Sequence, residues 1–194
     1  SNTGTNNDPA WAQVNLTNGV TGVLPVANSS ANIKAFAIKN TDSSHTGGLT
    51  EAVVYNLSIP ANTLGANDTL KFEAMLFKTG TSGNAVFKAY IGTNPGVVGS
   101  GLPGGQTQIG QAQFGATQLI GGFTRKIANK NSQSTNNSYP AAVSSFDDNT
   151  VQTTGRTAIN ANFANQLYFF ITVTLGAAGD VAGTDNLAVY IITS

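Results

Sequence analysis

Apolar and polar side chains alternate along much of this chain. From Glu51 to Pro60, Val53, Tyr55, Leu57 and Ile59 fall on one side, and Val54, Asn56 and Ser58 on the other. A two-residue period is what a strand with one buried face requires. Thr69–Lys78 repeats the pattern, with Leu70, Phe72, Ala74 and Leu76 opposite Lys71, Glu73 and Met75. Asn84–Thr93 sets Phe87, Ala89 and Ile91 against Val86, Lys88 and Tyr90. The short connection between these two runs, Thr79-Gly80-Thr81-Ser82-Gly83, predicts that they form an antiparallel hairpin. Lys34–Asn40 reads as a further strand with Phe36 and Ile38 on a shared face.

Towards the end the pattern is strong again. Gln166–Leu175 places Leu167, Phe169, Ile171, Val173 and Leu175 on one face, and Asn186–Thr193 does the same with Leu187, Val189 and Ile191. Gln106–Phe114, Gln118–Ala128 and Thr150–Ile159 give weaker strand signals, and Asn162–Asn165 reads as a turn. Asp42–Gly48, Asn94–Gly105 and Asn129–Ser138 are loops by composition, and Asp180 and Asp185 read as loop residues ahead of the last strand. No capped run of helical period reaches ten residues. These elements predict an all-β fold, an antiparallel β-sandwich of jelly-roll type with about eight strands. Residues 33–194 would form the sandwich and residues 1–32 an extended N-terminal connector.

Composition sharpens this picture. The 24 Thr suit pleated, half-buried surfaces, while the 22 Asn and 22 Gly suit turns. Nine basic residues balance nine acidic ones, which leaves no electrostatic footprint for nucleic acid or an anionic membrane surface. The lack of cysteine excludes disulfides, thiolate metal sites and a thiol nucleophile. No run of about 18 apolar residues is present, so no helical membrane insertion is expected. The chain opens on Ser rather than Met, which predicts a piece of a longer polypeptide.

Enzyme chemistry finds little support. Gly99-Ser100-Gly101-Leu102-Pro103-Gly104 matches G-x-G-x-x-G, but Pro103 and the following glycines oppose the helix that a dinucleotide site needs. The single histidine, His45, lies in a loop sequence without a nucleophile elbow nearby. Asp147-Asp148 reads as a turn, with Ca²⁺ binding as the alternative. The two glutamates, Glu51 and Glu73, sit in separate strand runs and form no evident pair. No catalytic residue, cofactor or metal is therefore expected. Tyr139, beside Pro140 after a polar loop, is the aromatic best placed for the surface.

The apolar stretch before the sandwich carries a resemblance. Val14-Asn15-Leu16-Thr17, followed by Val20-Thr21-Gly22-Val23-Leu24-Pro25-Val26-Ala27-Asn28, resembles the connector of tail-fibre and other virion proteins of tailed bacteriophages. Ser29-Ser30 stand where that pattern has two glycines. Ser58-Ile59-Pro60-Ala61-Asn62-Thr63-Leu64, then Asp68-Thr69-Leu70 and Phe77-Lys78-Thr79-Gly80-Thr81, is similar to the distal β-sandwich domains of such proteins. The resemblance implies a homotrimeric, non-enzymatic virion protein, assembled in the host cytoplasm and acting outside the cell. Its expected partners are upstream fibre or other virion proteins and a host surface polysaccharide or receptor. Val20, Val23, Leu24 and Val26 are the expected trimer contacts, because a lone extended segment cannot bury them; an edge strand on its own sandwich is the alternative. Receptor contacts are expected on loops, at His45, Asn94, Asn131, Asn136, Asn137 and Tyr139. The alternative function is a purely structural head fibre or decoration protein.

Overall fold

The protein is described by a computed structural model that covers residues 33–138 and 157–194. The segment carrying Val20, Val23, Leu24 and Val26 lies outside the described residues, as do Tyr139, Asp147 and Asp148. The strands are β1 (Ile33–Lys39), β2 (Ser43–Thr46), β3 (Ala52–Ile59), β4 (Thr69–Thr79), β5 (Ala85–Gly92), β6 (Gln106–Phe114), β7 (Ile120–Asn129), β8 (Asn136–Ser138), β9 (Thr157–Ile159), β10 (Leu167–Leu175) and β11 (Val181–Ile192). One sheet, here sheet A, runs β1-β11-β4-β7-β8-β9, with β2 also paired to β11. Sheet B runs β3-β10-β5-β6. All pairings are antiparallel. The interleaved order of the eight long strands is that of a jelly roll, as the sequence predicts.

The predicted hairpin does not form. β4 lies in sheet A between β11 and β7, whereas β5 lies in sheet B between β10 and β6. Their apolar stripes face each other across the core instead of standing side by side. Several polar groups at this crossing are satisfied on other loops. The Lys78 amide donates to the Leu119 carbonyl (2.8 Å), the Gly83 amide to Asp180 Oδ2 (3.0 Å), and the Asn84 carbonyl accepts from Gly176 (2.7 Å).

Leu70, Phe72 and Leu76 of β4 meet Phe87 and Ile91 of β5, and Phe169, Ile171 and Val173 of β10, in one buried core. The Phe72–Phe169 ring contact (4.7 Å between centroids) bridges the two sheets, and Phe72–Phe123 (5.2 Å) joins neighbouring strands of sheet A beneath it. Two bulges change which residues reach the core. Phe36 is the extra residue of β1 against β11, so the side-chain phase flips and Ile38 turns outward, away from the face of Phe36. Val54 is the extra residue of β3 against β10, so Val54 enters the main core and Val53 is excluded from it. Simple alternation from Val53 to Ile59 fails there for that reason. β11 also starts earlier than alternation suggests. It accommodates Asp185 as a register shift between Thr184 and Asn186.

The exposed edge of β6 is closed from sheet A. Arg125 of β7 is fully buried, and its guanidinium donates to the carbonyls of Gln111 (3.1 Å) and Thr124 (2.7 Å) while lying over the Phe123 ring. Ser138 Oγ donates to the Ile109 carbonyl. Capping edge carbonyls with side chains removes a template for pairing with other chains.

Asp180 is not a solvated loop residue. Its carboxylate lies 3.5 Å from the Lys78 ammonium, and both side chains are buried. Lys78 Nζ also donates to the carbonyls of Gly80 (2.6 Å) and Ala116 (2.8 Å). The Asp180 carbonyl accepts from Gly47 (3.4 Å). The β2–β3, β4–β5, β6–β7 and β10–β11 connections, all of which cross between the sheets, thus converge on this pair. Gly80, at φ +86°, is required here, because a Cβ would sit 2.2 Å from Asp180 Oδ1. Removing one partner leaves the other charged, buried and unpaired. Asp180→Ala is expected to cost about 3–5 kcal/mol in urea unfolding, and the Lys78→Met/Asp180→Leu double variant to be more stable than either single one.

A candidate binding face on sheet B

The outer face of sheet B gathers side chains from four strands. Cross-strand register places Ser58, Tyr168, Gly92 and Gln106 in one row, and Asn56, Phe170, Tyr90 and Gln108 in the next. Val53, Thr172, Lys88 and Gln111 follow, then Thr174, Val86 and Gln113. Every outward position of β6 on these rows is therefore glutamine. The outward phase persists across the strand because Ile109 is an extra residue between Gln108 and Gly110, where the register shifts. The segment QTQIGQAQF carries this signal as two Gln-x-Gln pairs separated by two residues, a spacing that a bulge explains and plain alternation does not.

Part of this face is roofed. The β5–β6 loop, residues 93–105, folds back onto β3: the Gly99 amide donates to the Val53 carbonyl and the Val53 amide to the Ser100 carbonyl, both at 2.8 Å. Asn56 Nδ2 donates to the Gly96 carbonyl (2.8 Å), and Leu102 packs on Val53, Tyr90 and Phe170. Gly96 lies so close that a Cβ would sit 2.3 Å from the Phe170 ring. The loop is a strap tied at several points, and its tip turns Val97 and Val98 to solvent.

Beside the strap, Glu51 accepts hydrogen bonds from Thr172 Oγ1 (2.6 Å), Tyr90 Oη (2.8 Å) and Lys88 Nζ (3.2 Å). Burial pushes the Glu51 carboxyl up, but the bonds from Thr172 and Tyr90 and the Lys88 charge outweigh it and hold the group below its ordinary value. Burial, followed by the Glu51 bond and charge, raises the Tyr90 phenol far above the usual range. Further along, Gln166 Nε2 donates to Tyr168 Oη (2.9 Å) and Ser58 Oγ (3.0 Å), orienting a half-exposed ring stacked at 6.4 Å on Phe170. The face thus offers an oriented aromatic ring, a row of amides and one fixed ion pair. These groups can stack on and hydrogen-bond a polyhydroxylated ligand.

The structure disperses the predicted contact residues. Asn94 is exposed at the root of the strap, and its Nδ2 closes the loop on the Gly104 carbonyl (2.8 Å). Asn131 is exposed at φ +56° in the β7–β8 turn, with its amide on Asn67 Oδ1 (2.9 Å). Asn136 and Asn137 are not in a loop but in β8, which pairs with β7 and β9. Asn136 is 2% exposed and donates to the Ala161 carbonyl, so it supports the fold and presents nothing outward. His45 lies at the opposite end of the sandwich, half-buried in β2 across from Ala182. Neither end-loop composition nor the lone histidine pointed to the sheet B face, whose residues become neighbours through pairing alone.

No protein-family model and no curated protein matches the sequence. Among solved structures, the chain is similar to the CBM2 module of the evolved Dit of Lactobacillus casei BL23 phage J-1. That similarity has 10% identity, covers 78% of this chain and 76% of that one, and gives a TM-score of 0.37. The infectious bursal disease virus Gx strain structure matches at 12% identity over 84% of this chain and 40% of that chain, with a TM-score of 0.17.

The Glu51 network has a testable pH signature. Because its folded pKa lies below the unfolded one, its stabilisation is present above the ordinary carboxylate value of 4.5 and fades as pH falls through the folded value. Glu51→Gln is expected to lower stability at neutral pH by on the order of 1 kcal/mol, given partial solvent screening. It should also flatten the acid limb of a melting-temperature profile below the ordinary carboxylate value of 4.5; an unchanged acid limb there would contradict the assignment.

Proposed function

We propose that this chain is a non-enzymatic attachment module of a tailed-bacteriophage virion, holding a host-surface glycan on the outer face of sheet B. The observation that carries the reading is the line of β6 glutamines that shares the outer face of sheet B with Tyr168, one strand away across β5. Uncharged amides donate and accept at fixed spacing, and they cost less to desolvate than carboxylates. A half-exposed, hydrogen-bonded ring supplies an apolar plane for a sugar face. The connector resemblance of residues 14–28 supports a virion setting. The two glutamates lie apart, Glu51 bordering the outer face of sheet B and Glu73 on that of sheet A.

Retention of the purified protein on host cells, and on polysaccharide extracted from them, tests this reading. Tyr168→Ala and Gln113→Ala are each expected to weaken binding roughly tenfold, while His45→Ala at the far end leaves it unchanged. Full binding by both face variants would move the site elsewhere. Complete lack of binding to cells and polysaccharide would favour the structural head-fibre or decoration role instead.

A further inference from the structure

The outer face of sheet A carries several exposed apolar side chains beside a few charges. Its rows place Ile33 beside Ile192, Ala35 beside Tyr190, and Ile38 beside Ala188. Ile33, Ile120 and Met75 are 61%, 66% and 41% exposed. A solvated antiparallel face ordinarily carries polar groups at such positions; here apolar side chains adjoin one another along β1 and β11, with Met75 and Ile120 beyond Glu73 and Thr124, and grouped exposed apolar side chains mark an interaction surface. Two adjoining concavities of about 350 and 300 Å³ lie on it and share Glu73. One forms where Gly122 leaves open space, with nothing within 4 Å of a Cβ position, between the protruding Met75 and Ile120.

The charges on the face indicate the occupant. Lys71 and Lys126 stand directly opposite each other in the β4–β7 pairing, an arrangement that costs energy in an isolated sheet. Glu73 pairs with Lys71, and Lys126 remains exposed. A partner must bring a carboxylate to Lys126, apolar groups to the Gly122 recess and a recess to Ile120. A second copy of the same face supplies all three through Glu73, Ile120 and Gly122. The chain carries no net charge, so copies do not repel at long range.

We propose that the outer face of sheet A is a subunit interface that receives a second copy of this chain, with Ile120 and Met75 packing at its centre and Glu73 of one copy meeting Lys126 of the other. The glycan face on sheet B stays exposed in such an assembly, so this proposal stands independently of the ligand.

Sedimentation velocity on the full chain over a concentration series tests it. The wild type is expected to associate. Ile120→Glu and Met75→Arg should each raise the dissociation constant about tenfold or more. Glu73→Lys should weaken association, and the Glu73→Lys/Lys126→Glu double variant should restore it. Unchanged circular dichroism and urea midpoints of the variants would show that the fold is intact. A wild type that remains a monomer, association undiminished by Ile120→Glu and Met75→Arg, or no recovery in the charge swap would each overturn the interface. Retained polysaccharide binding by a monomeric variant keeps this outcome separate from the glycan reading.

Discussion

A buried ammonium with no access to water must find its acceptors within the protein, and Lys78 finds them on three different connections. The jelly roll depends on this constraint. A sandwich built by carrying the chain back and forth between two sheets gathers crossings at one end, and each crossing leaves backbone groups that no ladder can pair. Lys78 satisfies carbonyls of the β4–β5 and β6–β7 connections, and Asp180 accepts from the β4–β5 amide of Gly83 and pairs with Lys78. With that end fixed, β4 and β5 can face each other across the aromatic core. Buried ion pairs are weak contributors to net stability but severe penalties when half broken. Here the pair therefore specifies which loops meet more than it adds to the energy of the fold.

Much of the architecture was legible from alternation. The Leu70–Leu76 stripe of β4, the Phe87–Ile91 stripe of β5 and the long apolar β10 lie as the period-two pattern requires. Elsewhere the reading failed at residues whose position is fixed by pairing. Phe36 and Val54 bulge because β11 and β10 offer one fewer residue opposite them, which a single strand read alone does not reveal. Likewise, a five-residue Gly-containing connection is compatible with a hairpin or a crossing. The choice was made by distant acceptors at Leu119 and Asp180.

The candidate site was less legible for a related reason. Loop composition drew attention to asparagines that the fold uses internally, Asn136 above all, or spends on closing turns, as with Asn94. The sheet B face is assembled from residues more than a hundred positions apart: Thr172 reaches Glu51 across 121 residues and Gln166 reaches Ser58 across 108. Only the glutamine spacing of β6 announced it locally. The two outer faces also differ in chemistry, one mixing exposed apolar side chains with charges and the other rich in amides.

The β5–β6 strap leaves sheet B and returns to the same sheet, so no crossing depends on its length. It is tied down along its path, yet it shares no anchor with the Lys78 cluster. The fold thereby separates what must stay constant from what can drift. A lineage meeting a new surface can rewrite residues 93–105, lengthening the loop or recolouring its tip, without disturbing how the chain finds its two sheets.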